Sequence, residues 1–109
     1  MAQPKLDAFQ AIGDPSRRQI LQLLSKESHT INALVENFDM SRPAVSKHIK
    51  ILYTTGFISI EDKGRERYCT LKKEGFTALQ QWLNFFDAFW KQKLTKLETL
   101  LDKSTKRKS

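Results

Sequence analysis

The chain has 109 residues, 39% of them hydrophobic, enough for one packed domain and too few for two independent cores, so a multidomain enzyme is excluded. With 28% charged residues, four Gly and three Pro, it reads as an ordinary folded protein, neither disordered nor fibrous. Nineteen Lys and Arg against twelve Asp and Glu give a net charge of +7, which points to a polyanionic partner. No apolar run exceeds three residues, too short for a membrane span or a signal-peptide core, so no membrane insertion and a cytoplasmic location are expected. A single cysteine, Cys69, excludes an internal disulfide and a multi-thiolate metal site.

The charge is unevenly placed. Residues 1–40 carry −1, 41–73 carry +5, 74–102 carry −1 and 103–109 carry +4. An excess confined to one internal stretch implies a surface that meets negative charge. The basic end, 103–109, has no apolar anchor and is expected to be a disordered tail beyond a domain of residues 1–102.

Helix punctuation is clear along the chain. Leu6, Phe9 and Ile12 lie at helical spacing and stop at Gly13, which predicts a short first helix closed by a glycine at positive φ. Asp14-Pro15 is an N-cap followed by proline at the first helical position, and Ile20, Leu21, Leu23 and Leu24 give the second helix its apolar face until about Lys26. Thr30 can cap a third helix carrying Ile31, Leu34, Val35 and Phe38. Ser41 can cap a fourth, with Pro43 in its first turn, ending at Gly56 as C′.

The period then changes from helical to alternating. Residues 57–61 and 67–71 are strand-like, and Asp62-Lys63-Gly64-Arg65 forms a hairpin connection between them. From about Lys73 to Asp102 a long helical stripe returns, including Leu79, Trp82, Leu83, Phe86, Phe89, Trp90, Leu94, Leu97 and Leu101. The fold class is mainly α with a small β-hairpin: five helices and a wing, arranged as a winged helix-turn-helix.

On a wheel of the fourth helix, Val45, Ile49, Leu52 and Tyr53 point one way, while Pro43, Lys47, Lys50 and Thr54 point the other. Arg42 and Ser46 lie on one flank and Ala44 and Ile51 on the opposite one. No Asp or Glu occurs from Arg42 to Ile60, so the outer face can enter a major groove without repelling phosphate. In the hairpin, Lys63, Arg65 and Arg67 occupy alternate positions and are expected to project on one side, toward phosphates or a minor groove.

The segments Asp14-Pro15-Ser16-Arg17-Arg18-Gln19-Ile20-Leu21, Ser41-Arg42-Pro43-Ala44-Val45-Ser46-Lys47-His48-Ile49-Lys50-Ile51-Leu52, Gly56-Phe57-Ile58 and Gly64-Arg65-Glu66-Arg67-Tyr68 resemble the ArsR/SmtB-type winged-helix repressors of bacteria. The likeness runs in order over roughly residues 6–102. It implies a homodimer on an inverted-repeat operator in double-stranded DNA, dimeric through its terminal helices. Arg42, Pro43, Ser46 and Lys47 would read bases, with Ser41, Lys50 and the wing's Lys63, Arg65 and Arg67 on phosphates. The metal-sensing patterns of the family are missing: Thr30 and Asn32 stand where its cysteines fall, and Lys73, Gly75, Phe86 and Phe89 where its last-helix ligands fall. No metal and no cofactor are therefore expected. The aromatic last helix is similar to that of a metal-independent, autorepressor-like subgroup.

The remaining borderline ligands have plainer roles. His48 lies at the edge of the apolar stripe, where a half-buried hydrogen-bonding role is expected. Cys69 reads as a small core residue, and His29 as exposed near the start of the third helix. None forms a nucleophile and base pair at a recognisable spacing, so no catalytic residues are assigned and the chain is not read as an enzyme.

Five aromatics fall within nine residues, at Trp82, Phe85, Phe86, Phe89 and Trp90. A face of that size needs a partner surface, and a second copy about a two-fold axis is the expected one, with Leu6 and Phe9 joining. Two competing uses are an aromatic ligand pocket between the helices and a module that binds a protein or small-molecule inducer on the aromatic helix. The inducer, the operator and the regulated genes are not encoded in any readable pattern.

Overall fold

The computed structural model describes residues 6–108, with side chains through Asp102. Its elements are α1 (Ala8–Ile12), α2 (Pro15–Leu24), β1 (His29–Thr30), α3 (Ile31–Glu36), α4 (Arg42–Thr54), β2 (Ile58–Lys63), β3 (Glu66–Leu71) and α5 (Lys73–Lys108). The strands form one antiparallel sheet in the order β1-β3-β2. The expected basic tail, 103–109, lies outside the residues whose side chains are described.

Caps set the helix starts. The Asp14 carboxylate accepts from the N–H groups of Ser16 and Arg17 at 2.8 and 3.2 Å, Thr30 Oγ1 from Ala33 at 3.0 Å, and Ser41 Oγ from Ala44 at 3.3 Å. Each satisfies a donor that the first helical turn leaves without a partner. α1 begins on a capping box not foreseen from the sequence, in which Asp7 and Gln10 each accept the other's backbone N–H.

Gly13 departs from expectation. Its φ is −67°, an ordinary right-handed value, because α1 does not end on a left-handed turn. Arginines from α2 satisfy its terminal carbonyls instead: Arg17 donates to Ala11 and Gln10, and Arg18 to Ile12. Positive φ occurs where the turns need it, at Gly56 (+85°) after α4 and Gly64 (+65°) in the hairpin.

Between residues 6 and 79 the core gathers Ala11 from α1, Ile20, Leu21 and Leu24 from α2, Leu34 from α3, Val45, Ile49 and Leu52 from α4, and Phe57, Ile58 and Cys69 around the sheet. Burial holds the Cys69 thiol protonated, pushing its pKa up to about 11, with Arg67 opposing the shift. β1 was not anticipated. It places His29 opposite Cys69 and Thr30 opposite Tyr68, so His29 is half-buried in a strand rather than exposed at a helix start.

The chain divides into two compact units between Leu79 and Gln80. Residues 80–102 form a helical unit with its own ring contacts, Trp82 to Phe86 at 4.9 Å and Phe89 to Trp90 at 5.1 Å between centroids. Trp82 is 52% exposed and Phe85 79%. Among the described residues no helix is long and apolar enough to cross a membrane.

Asp14 gives a pH prediction. Partial burial works against its ionisation, but N–H donation by Arg17 and Ser16, with the positive charge of Arg17, outweighs it and lowers the pKa. A depressed carboxylate pKa contributes stability that is present above the unfolded value and lost as pH falls through the folded one. Asp14→Ala is expected to lose about 1 kcal/mol at neutral pH. In urea melts its deficit should shrink as pH drops below about 4, whereas Asp14→Asn should keep most of the cap. A deficit unchanged across that range would remove the charge from the account.

Candidate nucleic-acid interface

α4 is fixed from beneath by Val45, Ile49 and Leu52, all buried. That geometry turns Arg42, Pro43, Ser46, Lys47 and Lys50 outward, and all five are exposed, as is the cap residue Ser41. Tyr53 differs from the wheel reading. It lies about 75° from the centre of the three buried positions, and its ring leaves the core to stand 52% exposed.

A second tether was not read from the sequence. The Arg17 guanidinium that holds the end of α1 also meets His48 Nδ1 at 3.1 Å, joining α2 to α4. A guanidinium can only donate, so Nδ1 accepts and the imidazole proton sits on Nε2. The expected half-buried, hydrogen-bonded His48 is therefore observed, and Arg17 is a positioning residue for the helix it contacts. The available signal was the position of Arg17 three residues after the Asp14 cap, which points its side chain back along α1.

The hairpin register corrects one expectation. β2 and β3 pair Asp62 with Arg67 and Lys63 with Glu66 across the two-residue turn Gly64-Arg65. Residues directly opposite in an antiparallel pair share a face, so Arg67 lies with Asp62 on the side that also carries Ile60 and Cys69. Lys63 lies with Glu66 and Tyr68 on the other. The three wing cations thus do not project together: alternation counted through a turn changes face, since Gly64 at positive φ reverses the chain. Lys63 instead stacks on Tyr68, its Nζ 5.3 Å from the ring centroid. Tyr68 donates to Glu66 at 3.2 Å, and that carboxylate raises the phenol pKa.

Arg67 and α4 face a shared space. A hollow of about 360 Å³ is bordered by Ser46 and Lys50 of α4, Ile31 of α3, and Ile60 and Arg67 of the wing. A smaller one of about 160 Å³ brings Arg42, Arg65 and Arg67 together beside Asn32, with Glu66 the one carboxylate on its border. Four cations from two elements therefore converge on adjoining hollows, while Lys47 and Pro43 stand on the outer face of α4 and Lys63 lies apart. Such a surface can accept an extended polyanion along its length.

Comparison with known proteins agrees with this geometry. The bacterial regulatory protein family named arsR matches residues 14–59. The HTH-type transcriptional regulator Rv2034 of Mycobacterium tuberculosis is 35% identical over 95 residues, 87% of this chain and 86% of that protein. The chain belongs to the arsR family. The transcriptional repressor SdpR of Bacillus subtilis is 38% identical over 79 residues, 72% of this chain and 84% of its own length. The crystal structure of an ArsR family transcriptional regulator superposes with a TM-score of 0.70 at 40% identity, covering 77% of this chain and 87% of that one.

The arsR-family chain is a winged-helix, DNA-binding regulator of transcription and not an enzyme. At the positions matching the family's metal-binding patterns, Thr30 caps α3 and Asn32 borders the smaller hollow. Gly75 is buried near the start of α5. Among the described residues no three His, Cys, Asp or Glu side chains gather as a metal site.

Proposed function

We propose that this arsR-family chain is a cytoplasmic repressor that binds an inverted-repeat operator as a homodimer, using residues 1–102 as one DNA-binding and dimerisation domain. In each subunit α4 enters a major groove, with Arg42, Pro43, Ser46 and Lys47 toward base edges and Ser41 and Lys50 on phosphates. Arg65 and Arg67 follow the strand of phosphates that passes between α4 and the wing, and Lys63 meets phosphate from the wing's other face. Leu6, Phe9, Trp82, Phe85, Phe86, Phe89 and Trp90 meet the second copy. The basic tail adds non-specific attraction.

The observation that carries the DNA contacts is the meeting of Arg42, Lys50, Arg65 and Arg67 at adjoining hollows beside a helix face free of carboxylates. Two-fold symmetry then places half-sites about 34–36 Å apart, or at multiples of one duplex turn.

Selection from a random duplex pool tests the reading: a palindromic consensus is expected, and an unenriched pool would overturn it. On the selected duplex, log affinity should fall linearly with log salt, by about 0.9 for each phosphate neutralised. Arg65→Gln is expected to lessen the slope by about 1 per subunit with little change in sequence preference. Lys47→Ala should cost about 1–3 kcal/mol and relax preference at one position of each half-site. Salt-independent binding would instead favour a protein partner.

A further inference from the structure

The wing is not a cationic surface by charge count. Residues 61–67 hold Lys63, Arg65 and Arg67 against Glu61, Asp62 and Glu66, a net charge of zero. The three cations are also not equivalent. Lys63 is stacked on Tyr68 at the outer face, while Arg65, at the exposed turn, has no ion pair among the described residues. Arg67, the cation that borders both hollows beside α4, is held through Nε by Asp62 Oδ1 at 3.0 Å. That pair is open to water, its side chains 61% and 74% exposed, so it adds little to folding and breaks readily.

Its location is the telling feature. The register puts Asp62 on the groove side of the hairpin, the side a duplex must approach. A carboxylate there repels phosphate, neutralises the guanidinium that phosphate would use and engages its Nε donor. We propose that Asp62 is an internal competitor of the DNA phosphate for Arg67, so that the wing engages a duplex by exchanging one anion for another. The exchange makes Arg67 a weak contributor wherever the duplex does not already fit α4. Asp62 thereby lowers affinity for arbitrary sequence more than for the operator and acts as a specificity-determining residue. The inference rests on the wing lying against DNA.

The test is a double-mutant cycle on the full-length chain, with affinity for a random-sequence duplex and for the selected operator read by fluorescence anisotropy at low salt. Asp62→Asn keeps the shape and removes the charge. It is expected to tighten random-duplex binding roughly three- to fivefold, to tighten operator binding less, and to leave the thermal midpoint unchanged. In an Arg67→Gln background the gain should fall below twofold, because the freed guanidinium is gone. Arg67→Gln alone should cost less affinity than Arg65→Gln, whose side chain has no competitor to release. Unchanged or weakened binding by Asp62→Asn would overturn the proposal, showing that Asp62 orients Arg67 or is idle. An equal gain with and without Arg67 would overturn it too, leaving only diffuse repulsion. Failure of the unsubstituted chain to bind any duplex would instead remove the underlying reading of the wing.

Discussion

Gly75→Ala is expected to destabilise the protein by about 1–2 kcal/mol net, the opposite of what helix propensity dictates. Inside a helix, alanine is favoured over glycine by about 1 kcal/mol, and Gly75 lies in the first turn of α5. Its surroundings reverse the sign. A Cβ there would fall 2.6–2.8 Å from three ring carbons of Phe57, closer than carbon atoms can pack. Phe57 cannot give way, since it is fully buried and meets Phe76 edge-on at 4.9 Å and 88°. Its backbone is also fixed, donating to Leu52 at 3.0 Å and accepting from Lys72 at 2.8 Å. Overpacking of a rigid core costs about 1–3 kcal/mol, and it must also cancel the propensity gain. Urea melts would read the loss. In a Phe57→Ala background, which removes all three of those ring carbons, the same glycine substitution should become neutral or stabilising. A stable Gly75→Ala chain would show that the ring yields and that the junction of α4 with α5 is looser than the geometry implies.

The glycine is instructive about what a sequence can disclose. Its closeness to Phe57 joins residues 18 apart, and nothing in a local pattern marks it. Features written in neighbouring residues were legible: the caps at Asp14, Thr30 and Ser41, the positive φ at Gly56 and Gly64, the apolar faces of α2 and α4, and the hairpin. Those choices are made by side chains that bond their own backbone a few residues away. The two-residue strand β1 was not legible, because it exists only by pairing with β3, forty residues along. The face of Lys63 was misjudged for a related reason, since alternation holds within a strand and not through its turn. The wing's carboxylates were hidden by summing charge over residues 41–73, where the cations of α4 outweigh them. In the interface, the identity of the cations was readable from α4 and the wing separately, whereas their convergence around Arg67 required the register.

The aromatic helix yields the second large effect. Trp82→Glu combined with Trp90→Glu is expected to convert a dimer into a monomer in sedimentation velocity and to weaken operator binding at least about 100-fold, since interface tryptophans commonly contribute 2 kcal/mol or more each. Between residues 83 and 101 the apolar positions Leu83, Phe86, Trp90, Leu94, Leu97 and Leu101 repeat at eleven residues: Leu83 with Leu94, Phe86 with Leu97, Trp90 with Leu101. Eleven residues over three turns is 3.67 per turn, close to the helix's own period, so the stripe keeps to one face with only a slight drift. Leu83, Trp90, Leu94, Leu97 and Leu101 are all more than half exposed, a continuous apolar surface of the kind that marks an interface. A loss of folding could mimic loss of dimerisation, but the buried core is drawn wholly from Ala11 to Cys69. The thermal transition of residues 6–79 should therefore survive both substitutions, and weak, salt-sensitive binding to random duplex should survive with it. A doubly substituted chain that stayed dimeric would move the subunit contact elsewhere. One that became monomeric yet kept full operator affinity would separate the aromatic face from DNA recognition and leave it to another partner.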